Sequence, residues 1–151
     1  MRTPEPAESL AHAFLRLIRG FRLLERGAKC CEGVTLPQCT LLETLHHDGA
    51  QRLSSLARRL GVKNSTATRL VDTLVREGLI TRAKETDDAR VVRVALTTQG
   101  ARLAEKLAAT GAAFCALILD ALPAKERERT LVTIERVAEV VESLPTFGAC
   151  G

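Results

Sequence analysis

The segment Leu53–Gly78 holds two short stretches with helical apolar periodicity, separated by a tight turn at Gly61–Asn64. The apolar positions of each stretch fall on one side of a helix, and the polar positions fall on the other. Two short amphipathic helices joined in this way must cross at an angle to bury both stripes, which predicts a helix-turn-helix. Ser54 and Asn64 are the expected N-caps. The expected buried stripes are Leu56, Ala57 and Leu60, and then Ala67, Leu70, Val71, Leu74 and Val75.

The flanking sequence extends this core in both directions. The apolar spacing predicts helices over residues 7–26, 35–47, 97–122 and 125–144, with Thr35 and Thr97 as caps. Two β-prone runs, residues 79–84 and 91–96, surround a polar loop and predict an exposed hairpin. The predicted fold is therefore mainly α with a small β-hairpin wing, that is, a winged helix-turn-helix.

Charge is concentrated in this predicted domain. The chain has 22 Lys and Arg against 18 Asp and Glu, and between Arg52 and Arg93 there are 10 basic and 5 acidic residues. The excess of five positive charges there, against minus one elsewhere, is typical of a surface that meets a polyanion. Aromatic residues are only 3%, without Trp or Tyr, which argues against reading single strands by base stacking.

The second helix of the pair begins with small polar residues and an arginine. Such side chains suit base edges and phosphates when the N-terminal end of a helix enters the major groove of DNA. The hairpin adds basic residues beside this helix, at positions that suit a phosphate backbone or a minor groove. The candidate DNA contacts are Lys63, Ser65, Thr66, Thr68, Arg69, Arg82, Lys84 and Arg90, with Arg93 next to them.

Several stretches in fixed order resemble the MarR family of bacterial transcription regulators. They are Thr35–Gln38, Leu53–Gly61, Asn64–Ile80, the Asp88-Ala-Arg90 signature and Val94–Gly100. Together with the long flanking helices, the resemblance covers nearly the whole chain. It implies that Asp88 positions Arg90, which contacts DNA in the minor groove. This is physically reasonable, because a neighbouring carboxylate limits the rotamers of a guanidinium and lowers the ordering cost of binding.

The first and last helices have apolar stripes too wide for a small winged-helix core to cover. The resemblance implies that they intertwine with a second chain, so that a homodimer presents two recognition helices to a pseudopalindromic operator on double-stranded DNA. The expected organisation is residues 1–34 for dimerisation, 35–100 for DNA binding and 101–151 for dimerisation. Repression is an expectation from the resemblance. A helical dimerisation adaptor without DNA binding stays open as an alternative.

Five cysteines are present, and Cys30, Cys31 and Cys39 lie within ten residues of one another. Three thiols in this spacing suit a thiophilic metal or metalloid, or an oxidant, as an effector that releases DNA. No cofactor is expected to be required. In the alternative interpretation the cysteines are structural, and the regulator responds to a small aromatic or phenolic ligand. His46 and His47 are expected to be surface residues at a helix end rather than ligands.

Other classes of protein are disfavoured. No apolar run approaches the ~20 residues that span a bilayer, and residues 1–9 lack the layout of a secretory signal, so we expect a cytosolic protein. An enzyme is not expected, because the sequence has no glycine-rich nucleophile turn and no phosphate-cradling loop.

Overall fold

The computed structural model describes residues 5–27, 33–88 and 90–144, with side chains described outside residues 22–27. Within these ranges the chain forms six helices and three short strands. In chain order they are α1 (Pro6–Gly27), α2 (Leu36–Asp48), β1 (Gln51–Arg52), α3 (Leu53–Arg59), α4 (Asn64–Arg76), β2 (Ile80–Lys84), β3 (Val92–Leu96), α5 (Thr98–Ala121) and α6 (Ala124–Ser143). The predicted fold class, mainly α with a hairpin wing, is confirmed. No helix in these ranges is long and apolar enough to cross a membrane.

Two of the four predicted helix caps are confirmed. Thr35 and Gln38 form a capping box, with the Gln38 side chain accepting from the Thr35 backbone N–H at 2.8 Å. Thr97 Oγ1 accepts from the backbone N–H of Gly100 at 3.0 Å at the start of α5. These caps satisfy N–H groups that have no partner within the helix.

The predictions that Ser54 and Asn64 are N-caps are wrong by one or two residues. The N-caps are Arg52 and Lys63, and neither makes a side-chain capping bond. Arg52 is held extended by pairing with Arg93 in the sheet, so the chain enters α3 directly from β1. An N-cap has an extended backbone, and here tertiary pairing supplies it in place of a capping side chain.

The strands form one antiparallel sheet in the order β1-β3-β2. Along β3, Val94 is buried while Arg93 is exposed, because successive side chains of a strand point to opposite faces of the sheet. Ile80 of β2 is also buried. The two-residue β1 was not predicted, because it is too short to show a periodic pattern.

The core lies between α2, α3, α4, the sheet and the start of α5. Its largest fully buried side chains are Leu41, Leu42, Leu56, Leu74, Ile80, Val71 and Val94. On α4 the predicted inner face is confirmed: Ala67, Val71 and Leu74 are buried, while Leu70 and Val75 are partly buried against the same cluster. Burial of this face fixes the rotation of α4, so its first polar residues turn outward.

Gly100 joins the sheet to α5 by a close backbone contact. A Cβ at this position would lie 1.8 Å from the carbonyl oxygen of Leu79. The same carbonyl accepts from the Thr97 backbone N–H at 3.0 Å, and Thr97 Oγ1 donates to the Gly78 carbonyl at 2.7 Å. Only glycine fits here, which gives the Leu-Thr-x-x-Gly sequence a structural reason.

The chain divides into two compact units, residues 1–110 and 111–151, and the boundary falls within α5. In the second unit, Arg127 closes the corner between α5 and α6. Its guanidinium donates to the carbonyls of Leu122 and Asp120 at 3.3 and 3.2 Å and pairs with the Asp120 carboxylate. Carbonyls at the end of α5 thereby gain partners.

Candidate nucleic-acid interface

The start of α4 presents polar and basic side chains to solvent. Lys63, Ser65 and Arg69 are exposed, and Thr66 and Thr68 are half-buried. The first turn contains no acidic residue, and Lys63 provides no side-chain cap. The N–H groups at this end and the positive end of the helix dipole therefore face outward and favour an anion.

The wing hairpin is closed by backbone bonds around Arg90. The Glu85 backbone N–H donates to the Val91 carbonyl at 2.9 Å, and the Val91 N–H donates to the Asp88 carbonyl at 2.9 Å. The Asp88 carboxylate accepts from the Arg90 backbone N–H at 2.9 Å. In the part of the chain that the structure describes, Asp88 makes no ion pair with the Arg90 guanidinium. Asp88 therefore shapes the turn that carries Arg90, instead of holding its side chain.

The wing and the start of α4 border one surface cleft of about 280 Å³. It lies in the first unit, and its lining includes Arg52, Ser54, Asn64, Arg90 and Val92. The structure thus brings Arg90 of the wing beside the first residue of α4, as the sequence predicted. Lys84, also exposed, follows on the outer strand of the same wing.

Arg82 links the wing to α4. Its guanidinium forms an ion pair with Asp72, and both side chains are nearly half exposed. The sequence predicted Arg82 only as a DNA contact. The pair with Asp72 gives it a second role, since it ties β2 to the helix that presents Ser65 and Arg69.

Glu85 lies between two arginines, an arrangement that the sequence analysis missed. Its carboxylate accepts from Arg52 Nε at 3.3 Å and Nη2 at 3.0 Å, and from Arg93 Nε at 3.3 Å. The bonds from Arg52 lower the pKa of Glu85 below its ordinary value of 4.5; Arg93 acts in the same direction, and desolvation opposes both. The sequence indicates a role for Glu85 only once β1 is known. Arg52 and Arg93 are then direct neighbours across the sheet, and their two positive charges need a negative charge beside them.

The cysteines are not brought together by the described part of the chain. Cys30, Cys31 and Cys150 lie outside the described residues. Cys39 is buried in the core on α2, whereas Cys115 is exposed on α5. No group of three metal-ligating side chains occurs within the described ranges. His46 and His47 are exposed at the end of α2, where a surface role was predicted.

Comparison with known proteins identifies relatives of one kind. The MarR family profile matches residues 34–92. The transcriptional repressor MdtR of Bacillus subtilis is 31% identical over 112 residues, which cover 74% of this chain and 72% of MdtR. The chain spans about half the length of other curated relatives, such as those matched over 75 and 74 residues.

Solved structures give the same result. The PcaV transcriptional regulator of Streptomyces coelicolor, crystallised with its natural ligand, superimposes with a TM-score of 0.72 at 27% identity, covering 93% of this chain and 99% of PcaV. The MepR–DNA complex of S. aureus has the same fold, with a TM-score of 0.72 at 20% identity, covering 87% of this chain and 97% of MepR. The profile, the relative and the fold agree, and the chain belongs to the MarR family of winged helix-turn-helix transcriptional regulators.

Proposed function

We propose that this protein is a homodimer that binds a pseudopalindromic operator in double-stranded DNA and represses transcription. The observation that carries the proposal is the shared cleft of the wing and α4, which places Arg90 beside the first turn of the recognition helix. A major-groove helix and a minor-groove wing need this adjacency to reach one stretch of duplex. Repression is supported by the relative MdtR, a transcriptional repressor.

The proposed contacts divide by chemistry. Ser65, Thr66, Thr68 and Arg69 face the base edges and phosphates of the major groove, and Lys63 neutralises the flanking backbone. In the wing, Arg90 enters the minor groove from the turn that Asp88 shapes. Lys84 and Arg82 follow the phosphates beside it.

Dimerisation is supported by apolar side chains that are exposed in the described part of the chain. On α1, Leu10, Phe14, Leu17, Ile18 and Phe21 recur at helical spacing and are each at least a third exposed. On α6, Leu131, Ile134 and Val141 are about half exposed. Rows of this kind are typical of helices that pack against a partner. We therefore assign residues 1–34 and 101–151 to dimerisation and residues 35–100 to DNA binding.

Two kinds of effector remain as alternatives. A thiol-reactive metal, metalloid or oxidant would act at Cys30, Cys31 and Cys39. In the second alternative the effector is a small aromatic or phenolic ligand and the cysteines are structural. The burial of Cys39 in the core favours a structural role for that residue. The triple Cys→Ser variant separates them. Unchanged DNA release by zinc, arsenite and peroxide would exclude the thiol mechanism.

The test of DNA recognition is selection from a random duplex library with the purified protein. We expect enriched duplexes to carry two inverted half-sites whose centres lie one helical turn, about 10 base pairs, or a multiple of that apart. One enriched sequence, the selected duplex, and a scrambled duplex of equal composition then serve as specific and non-specific probes. A dimer that enriches no sequence would exclude the proposed function and favour the adaptor alternative.

A further inference from the structure

We propose that Glu85 is a positioning residue for DNA recognition, which holds the wing against the helix-turn-helix through Arg52. The inference rests on the proposed function and concerns how Arg90 is aligned with α4. Arg90 reaches DNA productively only while the wing keeps this position.

The geometry joins Glu85 to Arg90 at one end and to α3 at the other. The Glu85 backbone N–H bonds to the carbonyl of Val91, the residue after Arg90, and so closes the base of the loop. The Glu85 side chain reaches from the end of β2 across β3 to Arg52, which ends β1 and is the N-cap of α3. Glu85 therefore connects the loop that holds Arg90 with the start of α3, the first helix of the helix-turn-helix.

Exposure indicates that this arrangement is not needed for folding. The Arg52 and Glu85 side chains are 54% and 23% exposed. An exposed ion pair typically contributes at most about 1 kcal/mol to stability, which is small beside the burial of the core. A fixed wing, in contrast, lowers the ordering cost that DNA binding would otherwise meet.

The direction of the charge effect makes the inference testable. Glu85→Gln removes a negative charge from the proposed DNA-binding face, so simple electrostatics predicts tighter binding to all DNA. Arg52→Gln removes a positive charge, so simple electrostatics predicts weaker binding to all DNA. If Glu85 positions the wing through Arg52, both variants weaken the contribution of Arg90, despite their opposite charges.

The experiment is a double-mutant cycle with Arg90→Ala, measured as the dissociation constant for the selected duplex at fixed salt. We expect Arg90→Ala to weaken binding about 10-fold in the parent and about 3-fold or less in Glu85→Gln and in Arg52→Gln. The ratio of the affinity for the selected duplex to the affinity for the scrambled duplex falls in both single variants. A purely structural role would lower the thermal unfolding midpoint and leave the cost of Arg90→Ala unchanged.

The matched control is the Arg59–Asp48 ion pair, 3.0 Å long, with 55% and 31% of the side chains exposed. Asp48→Asn and Arg59→Gln change the net charge in the same two directions, at residues that do not line the cleft. The cost of Arg90→Ala stays at its parental value in both. An unchanged cost of Arg90→Ala in either wing variant overturns the inference. A parent protein that does not discriminate between the duplexes overturns the proposed function instead.

Discussion

At the scale of single residues, Arg90 and Glu85 show how charge is arranged on the candidate interface. The described structure gives Arg90 no ion pair, whereas Arg52, Arg82 and Arg93 are each held by a carboxylate. The unpaired arginine lies in the loop of the wing, and the paired ones connect the strands beside that loop to one another and to α4. An arginine that makes no ion pair avoids the cost of breaking one before it meets DNA.

Arg90→Ala is expected to weaken binding to the selected duplex by about 1–3 kcal/mol and to leave the dimer intact. The measurement is a gel-shift titration at several salt concentrations. Because the variant brings one cation fewer to the DNA, its binding releases fewer counterions, and the slope of log affinity against log salt should become shallower. Arg59→Ala, at an exposed residue away from the wing, serves as the control. Equal affinity of parent and variant at every salt concentration would contradict the assignment of the wing.

At the scale of elements, the junction between the sheet and α5 depends on the absence of one side chain. The first turn of α5 lies directly on the Leu79 carbonyl, with Gly100 at the contact. The chain just before β2 therefore contacts the first turn of α5 through its backbone.

Gly100→Ala is expected to destabilise the protein by about 3 kcal/mol, because backbone has to move to admit a methyl group. The measurement is urea unfolding followed by circular dichroism. Thr98→Ala, at an exposed position in the same turn, is the control and should change the free energy of unfolding by less than about 0.5 kcal/mol. A Gly100→Ala protein as stable as the parent would show that the junction is looser than the contact implies.

Some features of the helices and strands could be predicted from the sequence, and others could not. The inner face of α4 was predicted residue by residue, because a helix that buries one side repeats its apolar positions. The cap at Asn64 was wrong by one residue, because the extended residue before α4 is Lys63, which makes no side-chain cap bond. The cap at Ser54 was predicted wrongly, since the extended backbone before α3 comes from pairing with β3 and not from a side chain. Glu85 was missed for the same reason: its partners Arg52 and Arg93 become neighbours only through strand register, which local periodicity does not contain.

At the scale of the whole molecule, the described chain leaves apolar rows on α1 and α6 without cover. Each row lies on a helix of 20 residues or more, and none of the side chains described on these two helices belongs to the buried core. A monomer with such surfaces would aggregate or self-associate. The proposed homodimer buries these surfaces and supplies the second recognition helix.

Leu17→Glu is expected to shift the protein from dimer to monomer, because a carboxylate would be buried in the proposed interface without a partner. Sedimentation equilibrium measures the shift. Binding to the selected duplex should weaken at least about 100-fold, since two linked half-site contacts become one. Arg16→Glu, on the polar side of α1, is the control. A Leu17→Glu protein that remains dimeric would remove α1 from the interface.

Arg52 ends β1 and is also the entry to α3. With no loop between strand and helix, any tilt of α3 must swing the sheet, and the sheet carries the hairpin tip. A small tilt of α3 would therefore give a larger displacement of the hairpin loop, which lies farther from Arg52. No large rearrangement is needed to change how the wing meets a groove of DNA.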